Sequence, residues 1–233
     1  LGALLKNDLR LLLRNVRPRQ ILFLSGLFLF YGLLFFTTEQ YNENSVILVF
    51  ASVIITGGFT LTYWQRVPSW DSEYYPLLMT QNLSYREYLD SKWWLIGLSV
   101  IISLIVSTFY LFFGWRIFAF IFAVAIYNLG LGTFITLYSG AYYYIPMKLN
   151  VKAKAFENTK ALNLTQFLFA IPKMGLPLLI FWLADFFIGG YAGWLALVGA
   201  GILGLLLKNH ILGHVAKIFK SRKYRTIEAF SKN

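Results

Sequence analysis

Four stretches of this sequence carry no charge for at least the length that a helix needs to cross a lipid bilayer. They lie between Arg19 and Glu39, between Glu43 and Arg66, between Lys92 and Arg116, and between Arg116 and Lys148. About 20 apolar residues span the hydrocarbon core, and inside it only a helix or a closed barrel satisfies every backbone polar group. Two more stretches follow: Ala161 to Ala184, interrupted by Lys173, and Phe186 to Leu207, where Gly189 and Gly190 leave a short sixth helix from Ala192. The expected fold is all-α, a polytopic integral membrane helical bundle with six transmembrane helices over residues 20–207.

Composition agrees, since 58% of the 233 residues are hydrophobic and only 13% are charged, against about a quarter charged in a globular domain. The chain has no cysteine, which excludes disulfides, thiolate nucleophiles and cysteine metal sites. A net charge of +11 could signal nucleic acid, but the basic residues sit between the apolar runs and not on one soluble face. That distribution points to anionic lipid and to membrane topology, with no nucleic-acid partner.

Lysine and arginine bias sets the expected orientation. One face collects Lys6, Arg10, Arg14, Arg17 and Arg19, then Arg66, Arg86 and Lys92, then Lys148, Lys152, Lys154 and Lys160, and finally Lys208 to Lys232. The other face has Arg116 with Glu39, Glu43 and Asp185. An even span count with both termini cytoplasmic accounts for this pattern. Trp93, Trp94, Trp115 and Tyr142 to Tyr144 read as interfacial anchors.

Residues 1–19 form an expected amphipathic interfacial helix, with Leu5, Leu9, Leu12 and Leu13 on one face against membrane lipid. Residues 208–233 read as a basic cytoplasmic tail. The stretch 68–92, between spans two and three, carries too many charges to enter lipid. Asp71 to Met79 can form a short helix with Tyr74, Leu77 and Leu78 clustered, followed by a turn at Thr80, Gln81 and Asn82. Ser84 with Glu87 three residues on is a capping box, so the third span starts near Tyr85 and passes through Lys92 into the membrane.

This sequence of parts, an acidic residue, Leu77-Leu78, a polar turn, Ser84 with Glu87, and Lys92 where the helix enters the membrane, resembles ABC-2-type exporter permeases. More narrowly the chain is similar to the C-terminal half of a group of ABC-2-like permeases from Bacteroidota. Glu73 is followed here by Tyr74, Tyr75 and Pro76, where many of those proteins carry Gly-Thr. The resemblance implies a bacterial inner-membrane permease whose segment 68–92 is a cytoplasmic coupling helix docking on an ABC ATPase subunit, through Asp71, Glu73, Leu77, Leu78, Ser84 and Glu87. It further implies either a homodimer or a preceding permease half in one longer chain. The start at Leu1, without initiator methionine or signal peptide, reads the same way.

A search for chemistry returns little. There is no phosphate-binding G-x-x-x-x-G-K-[ST] loop, so ATP hydrolysis is expected on a separate subunit, and no cofactor is implied. His210 and His214 have one-face spacing, but without an adjacent third ligand they read as part of a solvated tail and not as a metal site. The sequons at Asn82 and Asn163 fall on the cytoplasmic side. Lys173, between Pro172 and Pro177, either lines a transport path on a kinked fifth helix or snorkels to the inner interface, or the helix starts later than the apolar run. The alternatives to an exporter are a secondary transporter, for which paired intramembrane carboxylates are missing, an intramembrane enzyme, for which no mid-membrane His, Asp or Glu is found, and a non-transporting membrane scaffold.

Overall fold

The computed structural model describes residues 2–38, 44–62, 67–80, 84–143, 145–152 and 164–231. Among them every regular element is a helix. Helix α1 (Gly2–Arg14) meets α2 (Val16–Phe28) at Asn15, whose backbone is extended. A turn of chain and the short α3 (Leu33–Phe36) complete the first span, and α4 (Ser45–Thr62) is the second. Two short helices, α5 (Val67–Trp70) and α6 (Tyr75–Thr80), lead to the long α7 (Tyr85–Val106), which tightens into a 3-10 stretch at Ser107–Phe113. Then come α8 (Trp115–Tyr127), a π-helical turn at Asn128–Gly132 and α9 (Thr133–Gly140), which together make one span. Helices α10 (Leu164–Ile188), α11 (Ala192–Leu206) and α12 (Lys208–Ser231) finish the chain.

Among the described residues five helical stretches are long and apolar enough to cross a membrane, so the chain is an all-α multi-pass membrane protein. The sixth expected span takes a different form. Helix α11 has 15 residues, a rise of about 22 Å against a hydrocarbon thickness of about 30 Å. It continues into α12 across a 68° bend. Within the expected basic tail, Lys208–Ser231 is a helix that buries Leu212, Val215 and Phe219 against the rest of the protein.

The interior has two tiers. At the basic end, Leu11 and Leu12 of α1, Trp70 of α5, Tyr88 and Trp93 of α7 and Phe219 of α12 share one apolar cluster. Deeper in the membrane, α4, α8, α10 and α11 share another, which includes Val53, Ile121, Phe181 and Leu197. Tyr143 belongs to the first tier and is 3% exposed, so this aromatic is a core residue and not an interfacial anchor. Trp93 is also buried, whereas Trp94 and Trp115 remain exposed as expected.

Lipid tails are as apolar as leucine, so close backbone packing replaces the hydrophobic effect as the force holding spans together. The contact between α11 and the π-helical turn shows this directly. A Cβ added to Gly130 would stand 2.0 Å from the Gly201 carbonyl oxygen, and one added to Gly201 would stand 2.4 Å from the Ile126 carbonyl oxygen. Only glycine permits that approach. The π turn itself is held by Asn128, which donates to Thr56 Oγ1 of α4 at 2.8 Å, and by Thr133, whose hydroxyl donates to the Asn128 carbonyl. Gly201→Leu is expected to lower the unfolding free energy in detergent by roughly 2–4 kcal/mol, through overpacking against immovable backbone. Gly199→Ala, where an added Cβ meets nothing within 4 Å, should stay within about 0.5 kcal/mol of wild type. Equal melting temperatures for the two variants would remove the close-packing account.

Candidate functional site at the basic end of the bundle

The segment between spans two and three forms the site, and its local structure follows from short-range chemistry. Ser84 caps α7: its Oγ accepts from the Glu87 amide and the Glu87 carboxylate accepts from the Ser84 amide, a complete capping box. Upstream, Asp71 to Tyr74 turn between α5 and α6 instead of continuing as the helix expected over Asp71 to Met79. The reason lies in Asp71, which is fully buried and faces α7.

Lys92 of α7 anchors this turn. Its Nζ lies 2.9 Å from Asp71 Oδ2 and also pairs with Asp8 Oδ1 of α1. The hydroxyls of Tyr74 and Tyr88 donate to the two Asp71 oxygens, and Ser91 Oγ donates to Asp8 Oδ2 at 3.0 Å. One ammonium thus serves two carboxylates from different elements, all away from solvent. Burial pushes the Asp8 carboxyl above its ordinary range, and the neighbouring Asp71 adds to this, although Lys92 pulls the other way. A cavity of about 20 Å³ lined by Asn7, Asp8 and Lys92 adjoins the cluster, room for about one water.

The Met147 amide ties the same turn by donating to Ser72 Oγ at 3.1 Å, and two residues on the Leu149 carbonyl accepts from the Arg17 amide at 3.0 Å, which joins that segment to α2. Helix α12 closes the other side: Lys208 pairs with Asp90 at 2.8 Å and sits 3.8 Å over the Trp93 ring, Asn209 accepts from Arg86, and Phe230 packs edge-on against Tyr75.

The sequence-expected docking residues therefore separate into two groups. Asp71 is buried completely and so is not presented to a partner, while Leu78 is half-buried and packs against both neighbouring apolar clusters. Glu73, Leu77, Ser84 and Glu87 are exposed, with Leu77 at 61%. Gln81 and Asn82 of the expected turn, and Asn163 of the second sequon, lie outside the described residues. Asp8 was not singled out from the sequence, although it is the lone acid of a basic helix, and that is its one visible signal. On α1 the buried residues include Asp8, Leu11 and Leu12, while Leu9 and Leu13 stay exposed, so of the leucines expected against lipid Leu12 turns into the protein instead.

Lys173 lies on the inward face of α10 with Pro177 and Phe181, one helical turn apart each. It is 1% exposed, and among the described residues its Nζ has no partner. Its burial within the bundle argues against snorkelling, and the helix starts before it, at Leu164, with the apolar stretch long enough to span beginning at Ala170. Both prolines stand within that continuous helix, and Pro177 leaves the Lys173 carbonyl without its usual helical donor. Thr60 Oγ1 of α4 and Tyr127 Oη of α8 are likewise buried without a partner among the described residues. His210 and His214 are both exposed, and no metal-binding group is found among the described residues.

The family of unknown function DUF5687 matches residues 1–233, and the chain belongs to it. No curated protein and no solved structure matches the chain.

Lys92→Met would strand two buried carboxylates and is expected to cost roughly 3–5 kcal/mol of stability. Asp8→Asn should cost far less, because it leaves Lys92 paired with Asp71 and strands no charge. The sign follows from linkage: the Asp8 carboxyl lies higher in the folded chain than in the unfolded one, so its contribution is full below pH ~4 and is lost as pH rises through the raised value. The melting temperature of Asp8→Asn relative to wild type should therefore climb as pH increases from about 4. A flat difference across pH, or Lys92→Met as stable as Asp8→Asn, would contradict the assignment.

Proposed function

We propose that this family member is the membrane-spanning permease part of an ATP-driven, ABC-type exporter, seated in a bacterial inner membrane with both termini cytoplasmic. ATP is hydrolysed on a separate ATPase subunit, and the substrate moves outward through a bundle assembled from two copies or from a preceding permease half. The observation that carries this reading is the construction of the segment 67–92. Its tip, with Glu73 and Leu77, is exposed, while its base is locked through Asp71 and Lys92 to a span running from Tyr85 to Phe113. A push on such a tip moves the base and the span as one body, whereas a floppy loop would absorb it.

Docking then rests on Leu77 as the apolar anchor and on Glu73 for charge pairing, with Ser84 and Glu87 at the rim. Buried apolar anchors dominate interface energy while rim charges set partner choice. The path for substrate is supported by Lys173, Thr60 and Tyr127, polar groups inside the membrane on helices that pack together, since intramembrane ionisable residues are costly to hold.

The docking test is affinity purification of the chain in mild detergent with its ATPase, followed by measurement of ATPase stimulation. Leu77→Ala and Glu73→Lys should each weaken association by about 1–2 kcal/mol, roughly five- to thirtyfold, while leaving melting temperature unchanged because both side chains are exposed. Full association and stimulation in both variants would overturn the docking surface. Lys173→Met removes a buried amine without a partner and should raise stability by about 1–3 kcal/mol, yet lower the stimulated ATPase rate. Higher stability with undiminished stimulation would take Lys173 out of the transport path.

A further inference from the structure

A second feature stands apart from the exporter reading. Between α1, α2 and α7 runs a cavity of about 270 Å³, starting at the level where α7 leaves Trp93 and following it from Leu95 to Ser103, about 12 Å of helix. Its walls include Leu9, Leu13, Leu22, Leu98 and Ile102, all substantially exposed. Two of the three serine hydroxyls in the wall are already used: Ser25 Oγ donates to the Ile21 carbonyl and Ser99 Oγ to the Ile96 carbonyl, which leaves Ser103 at the far end. The groove therefore asks for an occupant that is apolar over most of its length.

The groove opens to the surface along the exposed Leu13, Leu98 and Ile102 side chains, so an acyl chain of the surrounding lipid can lie in it. Charge at the mouth selects among lipids. On α1 the apolar stripe of Leu5, Leu9 and Leu13 runs beside a basic stripe of Lys6, Arg10 and Arg14, both with four-residue spacing and so each on one side of the helix. These three cations are exposed and form no ion pair with any described residue.

We propose that this groove is a binding site for one anionic phospholipid, an acyl chain lying along α7 and the headgroup phosphate on Lys6, Arg10 and Arg14. The amphipathic helix then acts as one jaw of a lipid clamp and not only as an anchor floating on the surface. Gly26 offers a clean probe, because it lines the groove and a Cβ added there meets nothing within 4 Å. A larger side chain at that position grows into the groove without displacing protein.

The experiment is native mass spectrometry of the purified full chain in detergent, titrated with equimolar phosphatidylglycerol and phosphatidylcholine. Wild type should retain one phosphatidylglycerol per chain and prefer it by about tenfold or more, given three basic residues at the surface. Gly26→Leu should lose that retained lipid while keeping its melting temperature. The triple variant Lys6→Gln, Arg10→Gln, Arg14→Gln should retain a lipid but lose the preference between headgroups. The proposal is overturned by wild type retaining no lipid or both lipids equally, or by Gly26→Leu retaining phosphatidylglycerol as wild type does. A Gly26→Leu variant that changes oligomeric state would also overturn it, since a second protein would then be the occupant.

Discussion

The basic end of this protein depends on one ammonium group. Lys92 holds Asp71 and Asp8, residues from the turn between spans two and three and from the first helix, in a buried position. A buried ion pair is seldom a large net gain in stability, because desolvation costs about as much as the attraction returns. Its effect is geometric. Once the ammonium is there, each carboxylate has one low-energy position, and so do the helices that carry them. The tyrosine hydroxyls on Asp71 and the Ser91 hydroxyl on Asp8 satisfy the remaining lone pairs, which is what keeps such a cluster from being a liability.

The membrane tier is held differently. With lipid as the solvent, burying leucine gains little, and the spans approach instead through Gly130, Gly201 and Gly204 against a π-helical turn. A π turn leaves a widened backbone loop that a straight helix lacks, and the glycine face of α11 fits against it. The two tiers meet along α7, which carries Lys92 at one end and lipid-facing Leu98 and Ile102 further along. That continuity is why a displacement of the exposed Glu73 and Leu77 tip would have a stiff route into the bundle.

Some of the site was legible because its causes are local. The Ser84–Glu87 capping box involves residues three apart and appears as the spacing predicts. The start of the third span follows from it. Asp71 was misplaced because its partner Lys92 is reached only after the chain reverses, and a charge in a polar segment looks solvated until that reversal is known. The same reasoning applies to α12: Leu212, Val215 and Phe219 have helical spacing, but the density of lysine and arginine around them conceals an apolar face whose partner lies more than a hundred residues earlier, at Tyr88 and Trp93.

What the sequence by itself determined is the class of fold and the length of its main helices, because a bilayer imposes a minimum apolar run and forbids unpaired backbone, and both conditions act within a single segment. It also determined which segment between the spans could not enter lipid. Only the tertiary structure decided which faces those segments present: that Asp71 points in and Leu77 out, that Asp8 completes a cluster with a residue 84 positions away, that Lys173 looks into the bundle, and that α11 stops short and bends. Periodicity says that a helix has an apolar stripe. Which neighbour covers it depends on pairings between distant segments, and those are settled by close packing and by the cost of leaving a buried charge alone.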